Sequence, residues 1–204
     1  MPNGQQPQQV VRPQQIRDTL YINFFSEVNT TSVSQLIGFI QQGLKQGKKK
    51  FCLFISSTGG NLMSGITAYN FLKSIPNEII AYNYAYAESA AVLIFCAGSK
   101  RYCLPNSRFV LHEITSGGIQ GSKKMIEDNL KILDFDIQRY VSIISDATGQ
   151  SKKKVAKDMS NPVIFDAGKS KDYGLAQEIK DDLPSLESED SVTISVWPQP
   201  QPQR

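Results

Sequence analysis

Two side chains in this chain have the chemistry for acyl transfer, Ser89 and His112, and His112 is the only histidine among 204 residues. Ser89 lies between a predicted strand at 79–86 and an apolar helical run at 90–97. A hydroxyl at a strand-to-helix junction becomes a nucleophile when an imidazole takes its proton, and nearby backbone amides can then stabilise the oxyanion. The pair therefore predicts covalent catalysis through a serine.

A glycine pair, Gly59 and Gly60, follows the buried apolar strand predicted at 51–55. Glycines adopt positive φ and turn their amides outward, which suits ligand or oxyanion binding at the carboxyl end of a parallel strand. Each feature also has a structural explanation: a tight turn for the glycines, a helix N-cap for Ser89 and a core position for His112. Their joint appearance is what favours catalysis.

Strand-like and helix-like segments alternate along the chain. Strands are predicted at 20–26, 51–55, 79–85 and 108–111, and helices at 31–45, 61–74, 90–97, 123–147, 151–159 and 166–173. This order predicts an α/β domain whose parallel strands are joined by right-handed crossovers. The long helix at 123–147 follows a glycine-rich link, so it either projects from the core to pair with another subunit or lies flat on the core.

The composition at the two ends of the chain differs from the middle. Residues 1–16 are rich in Gln and Pro and are predicted to be disordered, residues 17–184 to form the folded domain, and residues 185–204 to be a flexible tail. Within that tail, residues 192–197 alternate like a short edge strand or a docking segment.

Charge, hydropathy and cysteine spacing exclude several classes of function. A net charge of +3 is too small to indicate nucleic-acid binding. No apolar run is long enough to cross a membrane, and no secretory signal is recognisable. Cys52, Cys96 and Cys103 lack metal-ligand spacing, so they are expected to be buried hydrophobic residues in a reducing, cytoplasmic compartment, with no metal bound.

Over about residues 20–180, an ordered series of motifs resembles the ClpP family, the proteolytic subunit of the ATP-dependent Clp protease. The matching segments are Ile55-Ser56-Ser57-Thr58-Gly59-Gly60, Ala85-Tyr86-Ala87-Glu88-Ser89, Leu104-Pro105-Asn106-Ser107-Arg108 with His112 after it, Gly117-Gly118-Ile119-Gln120-Gly121, Thr148-Gly149-Gln150 and Tyr173-Gly174-Leu175. The Leu-Pro-Asn-Ser-Arg run is the most specific of them. The resemblance implies the ClpP/crotonase-like fold of stacked ββα units with a protruding handle helix.

The resemblance also implies roles for the residues of the site. Ser89 would be the nucleophile and His112 the general base, and the amides of Gly60 (or Gly59) and Ala90 would form the oxyanion hole. Each lost donor in such a hole costs roughly 10²–10³ in rate. No cofactor is implied, because peptide hydrolysis through a serine needs none.

For the whole protein, the resemblance implies heptameric rings paired as a double-ring tetradecamer. An ATP-consuming AAA+ Clp unfoldase would deliver unfolded polypeptide to this chamber. The chain is thus predicted to be the proteolytic subunit of an ATP-dependent Clp protease, a serine endopeptidase without nucleic-acid or membrane partners.

The sequence departs from the family pattern at the third member of the catalytic triad. Where the family has its catalytic Asp, this chain has Pro162, with Asn161 beside it. Asn161 is the predicted third member, because an amide can orient the imidazole, although it stabilises imidazolium less than a carboxylate does. Asp158 and Asp166 are rivals, and Asp166 is favoured instead as the N-cap of the helix at 166–173.

Two other functions stay open from the sequence. The departures at the third triad member allow a catalytically weak paralogue that serves as a structural ring subunit. An acyl-CoA enzyme of the related crotonase fold would use the same oxyanion-hole logic on thioesters. Glu88 would oppose oxyanion formation if it faced the nucleophile, so it is expected to point away from Ser89.

Overall fold

A computed structural model describes residues 18–115, 117–118, 120–183 and 191–196. The disorder predicted for residues 1–16 lies outside the described residues, as do the parts of the predicted tail at 185–190 and 197–204. In chain order the elements are β1 (Thr19–Phe24), α1 (Thr30–Lys45), β2 (Lys50–Ser57), α2 (Leu62–Ser74), β3 (Glu78–Glu88), α3 (Ala90–Cys96), β4 (Lys100–Cys103), β5 (Arg108–Leu111), α4 (Lys123–Thr148), α5 (Lys152–Ser160), β6 (Val163–Asp166), α6 (Ala167–Tyr173), β7 (Glu178–Ile179) and β8 (Ser191–Ile194).

The described strands form one sheet in the order β6-β5-β3-β2-β1-β8, with β4 paired to β3 and β7 to β4. These pairings are parallel except for β5 with β6, which is antiparallel. The predicted α/β domain of parallel strands and crossover helices is confirmed.

Strand β3 pairs with two different strands along its length, first with β4 and then with β5. Its residues 80–83 pair with β4, and its residues 86–88 pair with β5. Against β2 its register shifts between Ile55 and Ser57, and such an irregularity bends a strand and re-aims the residues after it. The ends of β2, β3 and β5 therefore meet at one edge of the sheet, immediately before Gly59, Ser89 and His112.

The alternation of side chains along β2 builds two apolar layers. Phe51, Leu53 and Ile55 belong to the main core beneath the helices, whereas Cys52 and Phe54 belong to a smaller, aromatic-rich cluster on the other face. All seven residues of α3 are buried, which makes it the central helix of the core. The three cysteines are buried, as predicted.

Helix α4 is partly packed and partly projecting. Near its carboxyl end Tyr140, Val141 and Ile144 are buried. In its first half the exposed large apolar side chains are Met125, Leu130, Ile132 and Phe135. Both arrangements considered from the sequence therefore occur in one helix, and the exposed half has the form of a protruding handle. Among the described residues, no helix has the length and apolarity needed to cross a membrane.

Three short strands were not predicted, β4, β6 and β7, and β8 was predicted as one of two alternatives. Ser191–Ile194 pair in parallel with β1, and the amide of Phe25 donates to the carbonyl of Ile194 at 3.0 Å. Ser191–Ile194 thus form an edge strand of the sheet, which is one of the two structures that the alternation at 192–197 predicted.

The Arg101 guanidinium lies where three helices end. Its Nε donates to the carbonyl of Leu175 at 2.8 Å and its Nη2 to that of Ala147 at 2.8 Å, with longer bonds of 3.3 Å to the carbonyls of Gly98 and Gly174. Carbonyls at helix carboxyl ends lack intrahelical donors and carry partial negative charge, so one cation satisfies several of them at once. Arg101 thereby joins the ends of α3, α4 and α6.

We expect Arg101→Lys to lower the free energy of unfolding by about 2–3 kcal/mol, because an ammonium cannot reproduce a planar fork that reaches separate carbonyls. Chemical denaturation of both proteins measures the loss. Arg108→Lys is the matched control: Arg108 forms an exposed ion pair with Glu88, and its replacement should cost less than about 1 kcal/mol. Equal losses in the two variants would contradict the role of Arg101.

Candidate active site

Ser89 has an unusual backbone conformation, with φ 52° and ψ −126°. It is the one non-glycine residue with positive φ among the described residues. Its amide donates to the carbonyl of Val110 at 3.0 Å, and its carbonyl accepts from the amide of Val92 and the hydroxyl of Tyr140, both at 3.0 Å. Strained backbone of this kind persists only where surrounding contacts hold it, and it occurs most often at functional sites.

The side chain of Ser89 is not used as a helix cap. Ser89 immediately precedes α3, yet its hydroxyl makes no capping hydrogen bond. The N-cap interpretation thus accounts for the location of Ser89 but not for its hydroxyl. Beside it, Ala90 opens the first turn of α3, where amides have no intrahelical acceptor. A free hydroxyl and an open amide therefore lie next to each other.

Gly59 and Gly60, with φ of 86° and 137°, bring the end of β2 against residues 88–90, the segment of the candidate nucleophile (hereafter the nucleophile segment). A Cβ on Gly59 would lie 2.4 Å from the carbonyl oxygen of Glu88 and 2.7 Å from the Cβ of Ser89, so only glycine fits. The Gly59 amide is already bonded to Ser57 Oγ at 3.2 Å, whereas Gly60 is exposed and lines the neighbouring cavity. Of the two glycine amides weighed for the oxyanion hole, the geometry favours that of Gly60.

His112 is half-buried, and its Nδ1 lies 2.7 Å from the carbonyl oxygen of Glu113. Because a carbonyl only accepts hydrogen bonds, Nδ1 carries the proton in this contact and Nε2 of the neutral ring is left as an acceptor. That is the tautomer in which Nε2 serves as a general base. His112 is therefore a residue of the site and not a core histidine.

A cavity of about 470 Å³ contains both candidate catalytic side chains, within the size range of ligand sites. Its wall combines apolar side chains, polar side chains and the glycine turn, and it includes Leu62, Met63, Ile114, Leu133, Thr58, Asn61, Thr115, Asp136, Tyr140 and Gly60. No hydrogen bond joins Ser89 and His112 within the described part of the chain. Catalytic hydrogen bonds are often long before substrate binds, so the shared cavity is the relevant observation.

The predicted third member, Asn161, follows α5 and is exposed, and its amide donates to the Lys157 carbonyl at 3.5 Å. The pairing of Leu111 with Val163 brings the chain before β6 alongside the chain after β5, where His112 lies. The pairing of β5 with β6 thus places Asn161 and His112 on adjacent segments of the chain, but the two side chains are not hydrogen-bonded to each other. The role of Asn161 stays a prediction.

Both rival carboxylates are engaged elsewhere. Asp158 Oδ2 accepts from the Tyr173 hydroxyl at 2.8 Å and from Lys154 Nζ at 2.9 Å. Asp166 accepts from the amide of Lys169 at 2.8 Å, which confirms its prediction as the N-cap of α6, and this bond lowers the pKa of its carboxyl. The hydrogen bonds that the structure records for these two carboxylates are to these other groups and not to His112.

Helix α4 contributes Asp136 and Tyr140 to the cavity, and neither residue was predicted from the sequence to belong to the site. Asp136 is paired with Arg139 Nη1 at 3.2 Å. With Leu133, these two residues recur at helical spacing on one face, which is the signal that was present in the sequence. It was not used because the apolar residues of this helix were assigned to core packing or subunit pairing.

Glu88, the residue before Ser89, is paired with an arginine outside the cavity. Glu88 accepts from the Arg108 guanidinium at 2.7–2.8 Å and does not line the cavity, in agreement with the expectation that it points away from Ser89. Across the described residues, no cluster of three or more His, Cys, Asp or Glu side chains is arranged to hold a metal ion.

Known proteins similar to this chain indicate which family has this arrangement of a strained serine, a histidine and a glycine turn. The Clp protease family model matches residues 6–182. The chain belongs to the Clp protease family. The resemblance inferred from the sequence motifs, and the ClpP-like fold, are thereby confirmed.

Individual relatives agree with this family assignment. The chain is 34% identical over 129 residues to the ATP-dependent Clp protease proteolytic subunit 3 of Rhizobium etli, covering 62% of this chain and 66% of that subunit, just under two thirds of its length. It is 28% identical over 159 residues to proteolytic subunit 1 of Leifsonia xyli, covering 76% and 80%. A ClpP1 variant from Listeria monocytogenes with an asparagine-to-aspartate substitution superposes with a TM-score of 0.70 at 26% identity, covering 81% of this chain and 92% of that one.

The contact between Gly59 and the nucleophile segment predicts the effect of adding one methyl group. Gly59→Ala should slow the labelling of Ser89 by a fluorophosphonate at least about 100-fold, because the added Cβ would push Ser89 and the Ala90 amide out of place, and loss of one oxyanion donor alone costs that much. The same clash should lower the free energy of unfolding by about 1–3 kcal/mol.

Gly38→Ala is the matched control, because a Cβ there meets nothing within 4 Å and Ala favours the helix by up to about 1 kcal/mol. Labelling should be unchanged in this variant. If the fluorophosphonate labelled Gly59→Ala at the wild-type rate, the close approach of the two segments would be unimportant for the site.

Proposed function

We propose that this chain is the proteolytic subunit of an ATP-dependent Clp protease and a serine endopeptidase that cleaves unfolded polypeptide. The observation that carries the proposal is a strained serine whose hydroxyl caps nothing, in one cavity with the histidine and beside the open amides of Gly60 and Ala90. The family assignment and the names of the relatives support the same activity.

In the first half of the reaction, Ser89 Oγ attacks the carbonyl carbon of the substrate while His112 Nε2 takes the hydroxyl proton. The carbonyl oxygen becomes an oxyanion that accepts hydrogen bonds from the amides of Gly60 and Ala90. The imidazolium of His112 then protonates the leaving amine as the C–N bond breaks, which leaves an ester on Ser89.

In the second half, water attacks the ester and His112 takes a proton from that water. The second oxyanion collapses, the acid portion of the substrate leaves, and Ser89 Oγ regains its proton. His112 must hold its ring orientation through both halves. We infer that Asn161 supplies this orientation in the reacting state, by accepting from Nδ1–H in place of the Glu113 carbonyl.

The assembly inferred for this protein is a pair of heptameric rings that receives substrate from an AAA+ Clp unfoldase in the cytoplasm. The exposed apolar residues in the first half of α4 support it, since side chains of this kind gain by burial against a second subunit. The peptidase would bind no nucleotide itself, and ATP would be consumed by the unfoldase.

A catalytically weak ring subunit is the second candidate, and a specific observation favours it. Ser89 and His112 make no mutual hydrogen bond among the described residues, and Asn161 contacts the Lys157 carbonyl instead of the histidine. A fluorophosphonate separates the two candidates: an adduct on Ser89 in the assembled ring supports the peptidase, and its absence supports the structural subunit. The crotonase-type alternative gains no support, because the family model matched is that of the Clp protease.

We expect Ser89→Ala to reduce peptide hydrolysis by about 10³-fold or more, since it removes the nucleophile. Ring assembly should persist, because the Ser89 hydroxyl holds no helix cap. Turnover of a fluorogenic peptide and light scattering of the assembled protein measure the two effects. Ser74→Ala, at the end of α2, is the control and should retain full activity. Undiminished turnover in Ser89→Ala would refute the mechanism.

The inferred role of Asn161 is tested by restoring a carboxylate. Asn161→Asp should raise kcat about 10-fold or more, because an aspartate stabilises the imidazolium better than an amide does. Asn161→Ala should lower kcat, and Asp158→Asn should leave it unchanged apart from any loss of stability. If Asn161→Asp and Asn161→Ala both match the wild type, another group orients His112.

A further inference from the structure

Tyr140 connects the long helix α4 to the nucleophile segment. Its hydroxyl donates to the carbonyl oxygen of Ser89 at 3.0 Å, and its side chain is buried against the core. Tyr140 also lines the cavity that holds Ser89 and His112. A buried hydroxyl that bonds to the nucleophile's own backbone is placed to act on catalysis without touching the substrate.

The bonded carbonyl belongs to the peptide unit that supplies an oxyanion donor. The carbonyl of Ser89 and the amide of Ala90 lie in one rigid plane, so an anchor on the oxygen fixes the direction of the N–H. The Ser89 oxygen accepts from the Val92 amide as well, at 3.0 Å, so both of its lone pairs are engaged. Hydrogen bonds to the carbonyl also polarise the unit and make its N–H a stronger donor.

This anchor matters because the segment is strained. With φ at 52° and ψ at −126°, Ser89 occupies a sparsely populated region that is unfavourable for a non-glycine residue. If the carbonyl lost the Tyr140 hydroxyl, the peptide unit would keep only the Val92 bond and would turn more freely. The direction of the Ala90 amide would then vary around the one that the oxyanion requires.

We propose that Tyr140 is a positioning residue for the oxyanion hole: its hydroxyl fixes and polarises the Ser89–Ala90 peptide unit, so that helix α4 controls transition-state stabilisation at the nucleophile. This inference rests on the proposed function, because an oxyanion forms only if Ser89 is acylated. Burial raises the pKa of the Tyr140 hydroxyl far above its ordinary value, so the donor keeps its proton at neutral pH.

The test is Tyr140→Phe in the full, assembled protein, since this change removes the hydroxyl and keeps the ring. We expect kcat to fall about 10-fold, less than the 10²–10³ for a donor removed outright, because the Ala90 amide is still present but poorly directed. KM should change less than twofold and the pH profile of kcat should keep its midpoint, since substrate contacts and His112 are untouched. Affinity for a peptide aldehyde, whose adduct places an oxygen in the oxyanion hole, should fall in parallel with kcat.

Tyr173→Phe is the matched control, because it removes a buried tyrosine hydroxyl that donates to Asp158 and not to the carbonyl of Ser89. It should lower stability without lowering kcat or aldehyde affinity. A wild-type kcat for Tyr140→Phe, or an equal fall in both variants, would overturn the proposal.

A measurement that does not need activity separates this proposal from the proposed function. Hydrogen–deuterium exchange over residues 89–96 should be faster in Tyr140→Phe and unchanged in Tyr173→Phe. If the wild type neither turns over peptide nor labels at Ser89, the proposed function fails, while faster exchange still supports the anchoring. Unchanged exchange in Tyr140→Phe would refute the anchoring whether or not the protein is active.

Discussion

The close approach of two parallel strand ends, where Gly59 meets the carbonyl of Glu88 and the Cβ of Ser89, is the constraint on which the site depends. No side chain fits between them, so the end of β2 can lie directly on the nucleophile segment. The turn is held from its other side as well: the Val28 amide donates to the Gly59 carbonyl, and the Asn61 amide donates to the Val28 carbonyl, both at 2.7 Å. The Gly60 amide is thereby placed by backbone bonds and not by a mobile loop.

The strain at Ser89 follows from the same constraint and explains why its hydroxyl is free. A serine before a helix ordinarily adopts an extended conformation and caps the first turn with its side chain. The positive φ of Ser89 removes that option, and backbone bonds to Val110, Val92 and Tyr140 hold the residue instead. Hydrogen bonds to β5, α3 and α4 together offset the conformational cost, and the Ser89 hydroxyl makes no cap bond. The strain at Ser89 and the absence of a cap bond from its hydroxyl thus have one structural cause.

Sequence patterns predicted those parts of the fold in which local signals are strong. Apolar strands, helical spacing and the Gly59–Gly60 turn were enough for the parallel sheet and for the segment containing Ser89. The four-residue strands β4 and β6 were missed because pairing with neighbours, and not their own composition, makes them strands. Tyr140 was missed for a related reason: its spacing on α4 is that of a core residue, and only tertiary packing brings its hydroxyl to Ser89.

The three candidates for the third catalytic residue differ in the hydrogen bonds that each would lose on approaching His112. To reach His112, Asp158 would leave a partly buried site where it accepts from Tyr173 and Lys154. Asp166 would uncap α6, and loss of such a cap costs about 1 kcal/mol. Asn161 holds only a contact of 3.5 Å and is exposed, so its side chain can turn without breaking a strong bond. Because it also lies on the chain that β6 brings alongside His112, it is the side chain that can approach the imidazole at the lowest cost in free energy.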